Sequence, residues 1–191
     1  MTASLVLASA SPRRRELLTT LGIAFEVVPS GVPEVRRPDE PPPAFAQRIA
    51  REKALDVARR RPGCFVLGAD TVVVAGEVLF GKPHDRADAR RMLQRLSGTA
   101  HQVLTAVALV DPQGGVREVL AESTVEFRAL GAQEIDDYLD SGEAFDKAGA
   151  YAVQGLARAF VVRVSGSFSN VVGLPLEALA DWLAPFLPAP S

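Results

Sequence analysis

One carboxylate is set apart by its surroundings. Asp70 lies between the apolar runs Phe65-Val66-Leu67 and Val72-Val73-Val74, with Gly68, Ala69 and Thr71 beside it. Both runs predict buried strands. An unbound carboxylate there costs several kcal/mol, and the small neighbours clear space for a partner. Two readings follow: a carboxylate held on rigid strand ends for chemistry, or an aspartate in a tight turn, where Asp is common. A cationic group comes earlier. Leu5-Val6-Leu7-Ala8 predicts a strand, which runs into Ser9-Ala10-Ser11-Pro12-Arg13-Arg14-Arg15. Ser11 suits a helix N-cap and Pro12 the first helical position. Arginines in a first turn oppose the helix dipole. Three together point to a bound anion, which free N–H groups and bidentate guanidinium contacts favour; the alternative is a solvated basic helix start.

Other polar residues have plainer readings. Gly76 to Lys82 matches the Gly-x-x-x-x-Gly-Lys part of a P-loop, but Pro83 stands where Ser or Thr is needed and where a helix must continue. Gly76-Glu77 therefore reads as a hairpin turn and Asp85 as the N-cap of the following helix. Lys82 either reaches phosphate from its loop or is solvated. Lys53, three residues before Asp56, reads as half of a surface ion pair. His84 and His101 lack metal-ligand spacing and read as ordinary polar residues.

The elements that must position these groups alternate in type. Strands are predicted at 5–8, 25–28, 65–67, 72–74, 101–110, 116–127 and 160–164. Helices are predicted from Pro12 to Gly22, over 44–60, 85–96 and 132–139, and from Leu174 through Leu183. Residues 29–43 form a proline-rich loop. Residues 143–155 are too polar and too rich in small side chains for a core element, and loops of this kind often carry function. Ser165 to Asn170 reads as a second polar turn, and 185–191 as a frayed tail.

The 191 residues favour one domain, 1–191, able to bury a core without staples. A formal net charge of −2 argues against nucleic acid or an anionic membrane as partner. The balance is uneven: residues 1–62 hold 11 Lys/Arg and 7 Asp/Glu, so a basic N-terminal portion could face a small polyanion. The one cysteine, Cys64, cannot form an internal disulfide and reads as a small buried hydrophobe in a reducing compartment. The start, Met1-Thr2-Ala3-Ser4, lacks the basic region of a signal peptide, and no apolar stretch approaches the ~18 residues of a membrane span. The expectation is a soluble, cytoplasmic protein.

Taken together, Ser9-Ala10-Ser11-Pro12-Arg13-Arg14, Gly68-Ala69-Asp70-Thr71-Val72, Gly81-Lys82-Pro83, Leu96-Ser97-Gly98-x-x-His101, Asp146-Lys147-Ala148-Gly149-Ala150-Tyr151-x-x-Gln154-Gly155 and Asn170-Val171-Val172-Gly173-Leu174-Pro175-Leu176 resemble the Maf family of nucleoside triphosphate pyrophosphatases. The likeness runs from about Leu5 to Leu183. It implies an elongated, two-lobed α/β fold similar to inosine triphosphate pyrophosphatases, with a mixed curved sheet and a central cleft. The Asp146–Gly155 stretch resembles the dTTP/UTP branch, and Ala152-Val153 and Phe168 stand where that branch often has Gly-Ile and Tyr.

By that resemblance Asp70 is the proton acceptor, and Arg13, Thr71 and Gln154 match positions tied to substrate choice. The implied reaction splits a nucleoside triphosphate between α and β phosphorus with water. It needs a base and positive charge. Asp70 and Glu34 are the candidate ligands of a divalent cation, Mg²⁺ or Mn²⁺. Arg13, Arg14, Lys53 and Lys82 are the candidate phosphate clamp, and Ser9 is a further candidate substrate-binding residue. A glutamine amide at 154 complements the N3–H and O4 of uracil or thymine. The alternatives are the same chemistry on other or modified purine nucleotides, and a nucleotide-binding regulator of cell division without catalysis. Family members are often dimers, so the resemblance leaves a homodimer open.

Overall fold

A computed structural model describes residues 4–188. The regular elements are β1 (Leu5–Leu7), α1 (Pro12–Thr20), β2 (Phe25–Val27), α2 (Pro42–Arg60), β3 (Phe65–Ala75), β4 (Val78–Phe80), α3 (Arg86–Leu96), β5 (Ala100–Val110), β6 (Val116–Phe127), α4 (Ala132–Asp140), β7 (Val161–Ser165), α5 (Phe168–Val172) and α6 (Ala180–Leu183). The strand order is β2-β1-β3-β5-β6-β7, with β4 on β3 off that path. β1 runs parallel to β2 and to β3, the chain crossing over through α1 and α2. β4 runs antiparallel to β3, and β7 to β6. The chain is thus a mixed α/β protein with an open mixed sheet. Among the described residues no helix is long and apolar enough to cross a membrane.

The described residues divide into two compact units, one of 4–70, 105–121 and 173–188, the other of 71–104 and 122–172. In the first unit, successive residues of β1, β3 and β5 feed two cores. Leu5, Leu7, Leu67, Ala69, Val107 and Leu109 meet Leu18 of α1 together with Leu174, Leu179 and Leu183. Val6, Ala8, Val66, Ala108 and Val110 meet Ala54 and Val57 of α2. Strand side chains alternate between faces, and a sheet covered on both faces reads as an unbroken apolar run.

β3 corrects the expectation of two strands joined by a turn. Gly68-Ala69-Asp70-Thr71 continue one strand from Phe65 to Ala75. Gly68 is explained by the approach of α2: a Cβ there would stand 2.5 Å from the Ala50 carbonyl oxygen and 2.6 Å from the Ala54 nitrogen. The glycine serves close helix–sheet packing, and the tight-turn reading of Asp70 falls. α2 itself begins at Pro42, earlier than expected, because first-turn N–H groups lack partners and proline loses nothing by having none. Its buried stripe includes Phe45, Ile49, Lys53 and Val57, so a lysine occupies a position whose spacing is that of the core.

In the second unit the Asp85 side chain accepts the Asp88 N–H at 2.7 Å and caps α3, as expected. Further corrections fall late in the chain. Part of the expected turn at 165–170 is helical, since α5 begins at Phe168. The expected last helix, Leu174 through Leu183, is a 3₁₀ turn at Leu176–Leu179 after Pro175, followed by α6; a second 3₁₀ turn at Ala184–Phe186, containing Pro185, lies beyond it. Nor do residues 185–188 fray as a whole: the Phe186 ring packs edge-on against Phe65 at 5.2 Å between centroids. Cys64 is half-buried against the α2-side core. Residues 1–3 and 189–191, on which the readings of the chain's start and tail partly rest, lie outside the described residues.

Candidate active site

Asp70 sits near the middle of β3, only 5 % exposed. What compensates its burial is Lys53. The Lys53 Nζ donates to Asp70 Oδ1 and to Glu34 Oε1, each at 2.7 Å. The expected surface pair of Lys53 with Asp56 does not form. The helical stripe turns Lys53 inward, and Asp56 instead accepts from Ser30 and Arg60. Burial pushes the Asp70 carboxyl above its ordinary range, while the charge and hydrogen bond of Lys53, and then Arg14, pull it back. A carboxyl raised by burial and steadied by a cation, on a rigid strand, is a group suited to proton transfer.

The β1–α1 turn lies in the same unit. Ser11 occupies the N-cap position of α1 but makes no side-chain capping bond; its own N–H donates to Ser9 Oγ at 3.1 Å. Arg14 is buried and works as a strut. Its Nε donates to the Gly173 carbonyl at 2.8 Å, and one terminal nitrogen donates to the Ala69 carbonyl at 2.9 Å and to Ser9 Oγ at 3.3 Å. Desolvation lowers its pKa from the ordinary value, with the Asp70 and Glu34 charges opposing. Arg13, half-buried in the first turn of α1, is the neighbouring cation at this helix start.

The remaining expected residues belong to the second unit. Thr71 follows Asp70 on β3 and is half-buried, whereas Lys82 and Gln154 are exposed. Lys82 lies in the loop after β4. The Gly149 N–H donates to the Gly81 carbonyl at 3.1 Å, so that loop is tied to the segment ending in Gln154. Gly149 has φ +70°, and a Cβ there would stand 3.1 Å from Val73 Cγ2, so both conformation and space demand glycine. The segment has two more fasteners. The Glu143 carboxylate accepts the Leu156 N–H at 3.0 and 3.2 Å. The Tyr151 hydroxyl bonds His101 Nε2 at 2.8 Å inside a cluster that includes Phe127, with edge-on ring contacts. His101 is therefore not an ordinary polar residue. It is 2 % exposed, its Nδ1 has no hydrogen-bond partner among the described residues, and burial pushes its pKa down to about 4. Its place in the Leu96-to-His101 motif was the one signal that could have singled it out.

Among the described residues no three His, Cys, Asp or Glu side chains cluster as a metal cage. Two carboxylates do converge, Glu34 and Asp70, on the one ammonium of Lys53. Hard oxygen donors in that number suit Mg²⁺ or Mn²⁺, which keep water and substrate phosphates in their other positions. The chemistry of these two donors is compatible with such an ion.

Comparison with known proteins agrees with this architecture. The model of the family described as "Maf-like protein" matches residues 4–186, and the chain belongs to the Maf family. It is 52 % identical over 186 residues to a protein of Anaeromyxobacter dehalogenans (strain 2CP-1 / ATCC BAA-258) named dTTP/UTP pyrophosphatase, covering 96 % of this chain and 94 % of that one. A protein of the same name from Hahella chejuensis (strain KCTC 2396) is 53 % identical over 175 residues, covering 90 % of this chain and 87 % of that one. The Staphylococcus aureus Ham1 protein superposes with a TM-score of 0.50 at 13 % identity, covering 95 % of this chain and 98 % of that one, a likeness of fold alone.

Proposed function

We propose that this chain is a nucleoside triphosphate pyrophosphatase that takes dTTP and UTP and releases the monophosphate and pyrophosphate. The observation that carries the reading is the buried Asp70, held by Lys53 together with Glu34; relatives about half identical in sequence and named for this activity supply the substrate. In this reading Asp70 accepts the proton of the attacking water. Lys53 keeps the carboxylate ionised and oriented. Arg13 and Lys82 contact phosphate, and Ser9 and Arg14 shape the turn that presents them. Gln154 pairs with the N3–H and O4 edge of the base, a pattern cytosine does not offer, and Thr71 contributes to substrate choice. Asp70 and Glu34 would hold a divalent cation, Mg²⁺ or Mn²⁺, which would supply positive charge for the leaving pyrophosphate. Nucleotide pools and the lone cysteine fit a cytoplasmic, pool-cleaning role.

The test is metal-dependent release of pyrophosphate, and not orthophosphate, from dTTP or UTP. Asp70→Asn is expected to lower kcat by about 10²–10⁴-fold while the thermal unfolding profile stays cooperative. A fully active Asp70→Asn enzyme removes Asp70 from the role of base. Gln154→Ala is expected to narrow the dTTP-over-dCTP ratio of kcat/KM without changing metal dependence.

A further inference from the structure

Residues 29–41 carry Glu34, yet almost nothing apolar holds them. Val28 just before is buried, Val32 is half-buried, and Val35 is 68 % exposed. The segment has no strand or helix before α2 begins. Side chains of α2 hold it instead, on both sides of Glu34. On the early side, the Asp56 carboxylate accepts the Ser30 hydroxyl at 2.9 Å and the Gly31 N–H at 3.3 Å. Arg60 donates to the Pro29 carbonyl at 3.0 Å and to Asp56 at 2.8 Å. On the late side, Arg48 donates to the Val35 carbonyl at 3.0 Å and grips the Glu40 carboxylate with two bonds of 2.6 and 2.8 Å. Glu40 in turn accepts the Arg37 N–H at 3.0 Å.

Positions 48, 52, 56 and 60 form one row along a helix, each a turn apart, and Lys53 adjoins that row. The row fixes where the backbone runs before and after Glu34, and Lys53 meets Glu34 between the two fastenings. We infer that Arg48 and Asp56 are positioning residues that hold Glu34 at the Lys53–Asp70 pair and thereby set the protein's affinity for its divalent cation. This rests on the proposed function, in which Glu34 and Asp70 bind that ion. Neither Arg48 nor Asp56 needs to touch substrate or metal. Groups that orient a ligand typically change metal affinity 10–100-fold when removed.

The experiment titrates Mn²⁺, by the EPR signal of the free ion, into protein saturated with the α,β-methylene analogue of dTTP. Metal dependence of kcat is measured beside it. Arg48→Met keeps an unbranched, helix-favouring side chain and loses every donor, together with the guanidinium contact over the Phe45 ring at 5.6 Å. It and Asp56→Ala are expected to weaken Mn²⁺ binding about 10-fold while kcat at saturating metal changes by less than about threefold. Arg48→Lys is expected to rescue poorly, because an ammonium cannot make the two-pronged contact. In a Glu34→Gln background Arg48→Met is expected to weaken binding no further. Lower thermal stability with parental Mn²⁺ affinity in both variants overturns the inference, as does full further weakening in the Glu34→Gln background. A parent protein that neither binds Mn²⁺ with the analogue nor cleaves dTTP overturns the proposed function itself; an active parent whose variants titrate like it overturns only this inference.

Discussion

Two irregular segments carry the candidate chemistry, and they are held in opposite ways. Residues 29–41, which present Glu34, are fastened by charged side chains reaching up from α2. Residues 143–156, which carry Gln154, are fastened by neutral bonds and packed rings, Gly149 to the Gly81 carbonyl and Tyr151 to His101, with charged groups confined to their early part: the Glu143 carboxylate on the Leu156 N–H and the Lys147 ammonium on the Glu143 carbonyl and Asp146. The difference matches what each segment is proposed to do. A metal-side carboxylate has to exchange an ammonium partner for a cation, and partly solvated charge contacts allow that at low cost. A base-reading amide has to keep one geometry, which contacts to a buried aromatic cluster favour.

The largest effect is expected where the charged segment meets the core. Lys53→Met leaves Asp70 buried without its cation, and breaking a buried pair by removing one partner costs about 3–5 kcal/mol. Asp70 has its pKa raised by burial, and losing Lys53 raises it further. The penalty therefore falls on the ionised form and shrinks as the pH is lowered and the carboxyl takes up a proton. Denaturant unfolding of parent and variant at pH 7 and pH 5 checks this. Equal stability at pH 7 would mean that Lys53 does not compensate Asp70, and the contrast between the segments would lose its anchor.

The next effect belongs to the neutral segment. His101 has its pKa lowered by burial from 6.5 to about 4. The folded state resists a proton that the unfolded chain accepts. Its contribution to stability is therefore complete above about pH 6.5 and is lost as the pH falls toward 4. At 1.36 kcal/mol per tenfold change in proton affinity this amounts to roughly 3 kcal/mol across that window. His101→Gln is expected to flatten the stability–pH curve between pH 7 and 4, read by urea unfolding. An unchanged slope would place the acid sensitivity elsewhere.

Tyr151→Phe keeps the ring among its aromatic neighbours and deletes the hydroxyl that His101 Nε2 bonds. An unpartnered buried group costs about 1–3 kcal/mol. The same change is expected to relax the preference for dTTP over dCTP, because Gln154 is three residues on in the segment that Tyr151 fastens. Loss of stability with intact base preference would show that this fastening serves the fold alone.

The contrast was only partly legible in the sequence, for physical reasons that differ by residue. β6 from Val116 to Phe127 and the Asp85 cap of α3 follow from alternation and capping chemistry, which are local. Local spacing offers Lys53 only Asp56 as a protein partner, because helical neighbours are all that such spacing can propose. Its actual partners lie 19 residues before it and 17 after it, on other elements. The stripe Phe45-Ile49-Lys53-Val57 did contain the answer, since a lysine at core spacing must find a buried carboxylate. Gly68 looked like a turn because the approach of α2, which requires a residue without Cβ, is invisible to any window of the chain. His101 looked ordinary because burial is a property of the packed aromatic cluster and not of its neighbours in sequence. The motif resemblance implies roles that no spacing rule could propose, notably that of Gln154.

The smallest expected effect separates the two fastenings without mutation. Salt shortens the reach of exposed charges from about 10 Å at 0.1 M to 3 Å at 1 M. The Asp56–Arg60 contacts are the more open, with side chains 25 % and 44 % exposed, whereas Arg48 and Glu40 are 16 % and 11 % exposed. Amide hydrogen exchange at 30–32 is therefore expected to quicken roughly two- to fivefold in 1 M NaCl, the scale of an exposed ion pair. Residues 35–40 should respond less, and 149–154 hardly at all, because a hydroxyl–imidazole bond and an amide–carbonyl bond carry no net charge to screen; Leu156, held by the Glu143 carboxylate, is outside that contrast. An equal response in both segments would mean that charge is not what distinguishes them. A response confined to 30–32 would place the weaker fastening at Asp56 and make the Arg48–Glu40 grip the one on which Glu34 chiefly depends.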